Sequence, residues 1–147
     1  VDLFGLVAKV MPDWIQYTSL GAADYGQGLH ILVVEDSPFF NRQICGFLSD
    51  VGYKPFSAND GVEGLALLEQ EKIDLVLTDI EMPNMDGLEF TARVRADARW
   101  SELPIIAITS LSGEAAEKRG LKAGVNEYMV KLDQEKVIRT IRRCLKR

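Results

Sequence analysis

The sequence predicts an open, doubly wound α/β sandwich, a parallel sheet covered by helices on both faces. Three observations predict it. From His30 onward, strand-type and helix-type patterns alternate five times. Several of the strand runs are apolar throughout instead of alternating, the mark of strands buried on both sides. The length of 147 residues, with 47% apolar and 27% charged residues, suits one compact domain with an appendage. A domain of that size buries a core without disulfides.

Each element has its own signal. Residues 1–20 read as a short amphipathic segment with Leu3, Val7, Val10 and Trp14 at helical spacing, interrupted by Pro12. Residues 21–28, GAADYGQG, read as a linker, and no GK[ST] follows to make them a phosphate-binding loop. The expected organisation is therefore 1–28 as N-terminal segment and linker, then 29–147 as the folded domain. Ile31–Val34 is a β-branched first strand, and Phe40, Ile44, Phe47, Leu48 and Val51 follow at helical steps until Gly52. Tyr53–Ala58 is a second strand whose Pro55 suits a sheet edge. Asn59-Asp60-Gly61 is a turn before a helix carrying Val62, Leu65 and Leu68. Ile73–Thr78 is the third strand, Leu88–Arg95 a helix, Pro104–Thr109 the fourth strand and Gly113–Ala123 a helix. Glu127–Lys131 is the fifth strand, and Asp133 caps a last helix with Val137, Ile138 and Ile141.

The formal net charge of -5 argues against nonspecific nucleic-acid or membrane binding. The basic end, Arg139 to Arg147, reads as a solvated helix face with cations at its C-terminus. Cys45 and Cys144 form no CxxC pair and sit in helical apolar patterns, so they read as reduced thiols. No apolar run approaches a membrane span, and the start lacks a signal peptide's basic and apolar regions, so a cytoplasmic location is expected. Val1 in place of Met suits a fragment or a processed chain.

In doubly wound folds the ligand site lies beyond the carboxyl ends of the strands. There the first strand ends in Glu35-Asp36-Ser37, the third in Asp79 with Glu81 two residues on, the fourth in Thr109-Ser110 and the fifth in Lys131. A lone strand-end acid is ordinarily a helix cap, but four strand ends supply complementary groups here. Close carboxylates repel, and a hard divalent cation removes that cost. Mg²⁺ takes octahedral oxygen ligands and keeps several waters, so Glu35, Asp36, Asp79 and the backbone carbonyl of Glu81 suffice. Such a site also holds phosphoryl oxygens, to which Lys131 adds a point charge and Thr109 a hydroxyl. No Ser/His/Asp or Cys/His set exists, since His30 is the only histidine and opens a strand. The remaining nucleophile is a carboxylate, and Asp79, on the middle strand, is best placed to form an aspartyl phosphate. The proline, turn and Gly87 of TDIEMPNMDG then serve to wrap the Glu81 carbonyl toward the cation.

These residues resemble the receiver domain of bacterial two-component response regulators, over roughly His30 to Leu145. VVEDS at 33–37, TDIEMPNMDG at 78–87, ITS at 108–110 and EYMVK at 127–131 carry the likeness. The resemblance implies a flavodoxin-like sheet of order 2-1-3-4-5. It implies that Glu35 and Asp36 position Mg²⁺, that Glu81 gives a backbone carbonyl and that Asp79 accepts the phosphoryl group. Thr109 and Lys131 would bind phosphoryl oxygens, with Thr109 and Tyr128 as switch residues. The donor would be a histidine kinase or histidine phosphotransfer domain, its own upstream kinase domains included. Such a domain catalyses its own phosphorylation and dephosphorylation, and the surface of fourth helix, fifth strand and fifth helix changes for partners.

Two departures stand out. The family commonly has proline after the lysine, whereas Leu132 follows Lys131 here, and Glu35 replaces the commoner aspartate. The opening VDLFGLV resembles the end of a coupling-type domain in chemotaxis kinases, as in a hybrid chemotaxis histidine kinase. About 16 residues follow Lys131, room for one helix and no DNA-binding module, so DNA contact is not expected. Besides the phosphorylatable switch, two readings stay open: a binding-only pseudo-receiver, and an aspartate-nucleophile phosphatase with Glu81 as general acid.

Overall fold

The computed structural model describes residues 28–110, 113–130 and 133–145. The expectations for segment 1–27, for Lys131 and for the Lys131–Leu132 bond lie outside the described residues. Five strands, β1 (His30–Val34), β2 (Lys54–Ala58), β3 (Leu75–Thr78), β4 (Ile105–Thr109) and β5 (Glu127–Val130), form one parallel sheet of order β2-β1-β3-β4-β5. Between and after them run α1 (Pro38–Asp50), α2 (Gly61–Gln70), α3 (Gly87–Ala96), α4 (Glu114–Ala123) and α5 (Gln134–Leu145). The doubly wound fold and its strand order are thus as expected, and Pro55 does sit on an edge strand.

Side-chain alternation along the buried strands divides the core in two. Ile31, Val33, Leu75, Leu77, Ile106, Ile108 and Met129 pack with Ile44 and Leu48 of α1 and Val137, Ile138 and Ile141 of α5. Leu32, Val34, Val76, Ile105 and Ala107 face the other way, onto Leu68 of α2 and Phe90 and Val94 of α3. Both faces of the central strands are covered, which is why those runs show no polar alternation.

Differences from the sequence reading are local. β3 starts at Leu75 because Asp74 is diverted: its carboxylate accepts from the His30 N–H at 2.8 Å. The His30 ring lies 2.7 Å from the Lys72 carbonyl, at the opposite end of β1 from the acids. Tyr53 belongs to the α1 exit, its N–H donating to the Leu48 carbonyl. An unforeseen 3-10 turn at Ala98–Trp100 follows α3, started by the Asp97 carboxylate accepting from the Arg99 N–H. Cys45 and Cys144 are both half-buried and form no disulfide. Among the described residues no helix is long and apolar enough to cross a membrane.

Candidate functional site

The sheet register sets the site. Val34, Ala58, Thr78, Ala107 and Tyr128 lie on one level across the five strands. One residue further on, the ladder continues past the strand ends: the Asp79 N–H donates to the Val34 carbonyl and the Glu35 N–H to the Ala58 carbonyl. Glu35 and Asp79 therefore leave adjacent strands at equal height. Together with Asp36, each offers a carboxylate oxygen, and these oxygens lie within 4.8 Å of one another. Glu35 and Asp79 are buried, with 2% and 6% of their surfaces exposed, while Asp36 is exposed. Two buried carboxylates and a third this close form a hard, all-oxygen donor set that suits a divalent cation.

Backbone groups orient both buried acids. The Ser37 N–H donates to Glu35 Oε2 at 3.1 Å, and the Ile80 N–H donates to Asp79 Oδ1 at 2.7 Å. Asn41 is a member that the sequence reading missed. Buried on α1, it donates through Nδ2 to the carbonyls of Glu35, at 3.0 Å, and Ala58, at 3.3 Å. Its Oδ1 accepts from the Ser57 hydroxyl at 2.8 Å. The amide thus ties the ends of β1 and β2 to α1. Its only signal in the sequence is a polar residue three before Ile44 on the apolar stripe.

Gly87 has a role more specific than wrapping the Glu81 carbonyl. A Cβ there would stand 2.0 Å from the backbone oxygen of Asp79, the atom that also accepts the Thr78 hydroxyl at 2.8 Å. The Gly87 N–H donates to the Ile80 carbonyl, so α3 begins directly against the Asp79 peptide. Asp86 caps that helix by accepting from the Glu89 N–H at 2.8 Å. Glu81 itself is exposed in the intervening turn.

On the other half of the edge, Thr109 is fully buried at the end of β4. Strand alternation places it on the same sheet face as Ala107, which pairs with Tyr128. The half-buried Tyr128 ring lies over α4, where a Cβ on Gly120 would come within 2.9 Å of its Cδ2. Burial raises the Tyr128 pKa; Arg119 counteracts this, and the negative charges of Asp79, Glu117 and Glu81 add to it. The structure thus brings Glu35, Asp36 and Asp79 together, puts Thr109 and Tyr128 beside them along the edge, and leaves Lys131 outside the described residues.

A doubly wound sheet with an acidic cluster at the ends of two of its three inner strands defines a class of α/β domains whose ligand site lies at the carboxyl edge. Within it, residues 31–142 match the response regulator receiver domain, and the chain belongs to that family, a receiver domain of two-component signalling. It is 35% identical over 116 residues to the protein PilH of Pseudomonas aeruginosa, covering 78% of this chain and 96% of that one. It is 44% identical over 105 residues to the chemotaxis protein CheY1 of Helicobacter pylori, covering 70% and 85%. Among solved structures it resembles the receiver domain of a Pseudomonas aeruginosa sensor histidine kinase that holds a magnesium ion in its active-site cleft. That likeness has a TM-score of 0.76 at 30% identity, over 82% of this chain and 99% of that one.

Proposed function

We propose that residues 29–147 act as a phosphorylatable switch whose acceptor is Asp79. The observation that carries this reading is the convergence of Glu35, Asp36 and Asp79, two of them buried, within 4.8 Å. Glu35, Asp36 and Asp79, with the backbone carbonyl of Glu81, would hold Mg²⁺, a group that the all-oxygen donor set and the magnesium-bound kinase receiver both support. Bound there, the ion supplies positive charge to the carboxylates and to phosphoryl oxygens. The Asp79 carboxylate attacks the phosphorus of a phosphohistidine, the P–N bond breaks and the imidazole leaves. Thr109 and Lys131 hold the phosphoryl oxygens, one by a hydroxyl and one by a charge. Thr109 then draws toward the phosphoryl group, and Tyr128 turns inward behind it.

The donor is a histidine kinase or histidine phosphotransfer domain, and the output surface is α4–β5–α5. What supports that surface is the weak anchoring of α4. Gly120 is the only buried residue in the helix, and its N-cap, Gly113 at φ +112°, offers no side-chain bond. An element so lightly held is suited to two arrangements. Incubation with Mg²⁺ and acetyl phosphate, followed by intact mass, tests the reading. One phosphoryl adduct is expected in the wild type and none in Asp79→Asn. No wild-type adduct would favour the binding-only pseudo-receiver, and rapid turnover of varied phosphate esters would favour the phosphatase.

A further inference from the structure

Asp60 stands two residues past β2 at the same sheet edge, yet it belongs to none of the roles above. It is 8% exposed, and both of its carboxylate oxygens are engaged. Oδ1 accepts from the Glu63 N–H at 2.9 Å, which caps α2, and Oδ2 accepts from Asn84 Nδ2 at 2.7 Å. Asn84 lies 24 residues away, in the turn between Asp79 and α3. It is the one non-glycine among the described residues with a left-handed backbone, at φ +69°. Asparagine tolerates that conformation better than most side chains. Its neighbour Met85, 7% exposed, packs directly on Gly61, the first residue of α2. A Cβ on Gly61 would come within 2.9 Å of the Met85 side chain. So the turn after Asp79 is fastened to the start of α2 twice, by a charged hydrogen bond and by an apolar contact seated on a glycine.

We propose that Asp60 and Asn84 are positioning residues for the phosphoacceptor site, a latch that fixes the 80–86 turn and with it the backbone oxygen of Glu81. The proposal rests on the reading of that oxygen as a cation ligand. The turn has few bonds of its own: Met85 N–H to the Pro83 carbonyl and Gly87 N–H to the Ile80 carbonyl. The side chains of Met82, Pro83 and Asn84 are at least partly exposed. Without the latch, the turn keeps only its own two bonds and the Met85 contact on Gly61, and part of the ordering cost of the Glu81 backbone oxygen falls on cation binding.

The chemistry of the pair permits a swap. In Asp60→Asn, position 60 has one acceptor and one NH₂, so with the Glu63 N–H served the Asn84 amide must turn over to accept, and the charged hydrogen bond becomes a neutral one. In Asn84→Asp, two carboxylates face each other across a hydrogen-bond distance. In the double variant Asp60→Asn/Asn84→Asp, the new amide at 60 still caps α2 through its oxygen. Its NH₂ donates to the new carboxylate at 84, and both residue types suit an N-cap and a left-handed backbone.

Three measurements on the full chain test this: Mg²⁺ affinity by calorimetry, amide hydrogen exchange at Met85 and Gly87 in metal-free protein, and urea unfolding. Each single variant is expected to weaken Mg²⁺ binding by roughly three- to tenfold, the equivalent of about one hydrogen bond, and to speed exchange at both amides. The swap is expected to restore both. Asn84→Gly, which keeps the left-handed backbone and drops the side chain, should lose affinity like the singles, and it serves where a charge variant fails to fold. Singles that lower the urea midpoint while leaving Mg²⁺ affinity and both amides unchanged would overturn the latch, as would a swap no better than the worse single. A wild type that takes no phosphoryl group would sink the switch reading instead, and leave the latch to be judged on affinity and exchange.

Discussion

The two halves of the carboxyl edge are built differently. At the ends of β1 and β3, Glu35 and Asp79 are gripped by backbone N–H donors, Asn41 ties the β1 end to α1, and Gly87 presses α3 against the Asp79 peptide. The helices that follow are capped by side chains: Ser37 for α1, Asp60 for α2 and Asp86 for α3. At the ends of β4 and β5, Thr109 is buried but Tyr128 is half exposed. α4 starts at a glycine without a side-chain cap, and its two i, i+4 charged residues, Glu114 and Lys118, pair in solvent. Chemistry on an aspartate needs fixed geometry, whereas a reported change of state needs a part that moves at small cost. On the proposed reading of the site, these demands fall on different strands of one sheet.

That contrast can be broken from the rigid side first. Asp79→Asn should abolish the phosphoryl adduct in the intact-mass experiment, while urea unfolding shows the fold intact. Gly87→Ala should be the most destabilising single change at the edge. Its Cβ meets the backbone oxygen of Asp79, which no rotamer can move, so a loss of about 3 kcal/mol is expected in urea unfolding.

The lightly anchored side should respond in another way. In Gly120→Ala the contact is a tyrosine ring, which can swing out. Better helix propensity, about 1 kcal/mol, offsets lost packing, so stability should change little. The Tyr128 phenol, raised by burial, should fall toward its usual value of 10.0, as read by NMR pH titration of ring-labelled tyrosine assigned with Tyr128→Phe. If Gly120→Ala costs as much as Gly87→Ala, α4 is anchored as firmly as α3, and the contrast is lost.

The smallest effect is a pH dependence. The Asp60 carboxyl is held below its usual 3.8, first by the Glu63 N–H and next by the Asn84 amide. A depressed folded-state pKa adds stability that is present above the unfolded value and lost as pH falls through the folded one. Wild type should therefore lose stability below about pH 4 more steeply than Asp60→Asn, as measured by urea midpoints across that range.

Much of this was legible before any coordinates. Apolar runs without alternation gave the parallel sheet, and acids at the ends of the first and third runs gave the cluster of Glu35, Asp36 and Asp79. The strand limits were overdrawn where a polar side chain near a strand end, such as Asp74, takes a backbone donor for itself. Asn41 was passed over because one polar residue on an apolar helix stripe gives no hint of its partners. Asp60 read as an ordinary turn residue, since an Asn-Asp-Gly run is explained locally as a turn and gives no sign of a partner 24 residues on.

The sequence by itself determined the order of strands and helices, and that Glu35, Asp36, Asp79 and Thr109 stand at strand ends in a fold whose ligands sit at that edge. Periodicity and residue type are local properties, and the carboxyl-end rule turns them into a site. Only the tertiary structure decided the strand register that sets Glu35 and Asp79 at one height, the approach of Gly87 to the Asp79 peptide and the Asn84–Asp60 bond across 24 residues. These depend on distances of a few ångströms between segments far apart in the chain, and such distances exist only once both faces of the sheet have packed.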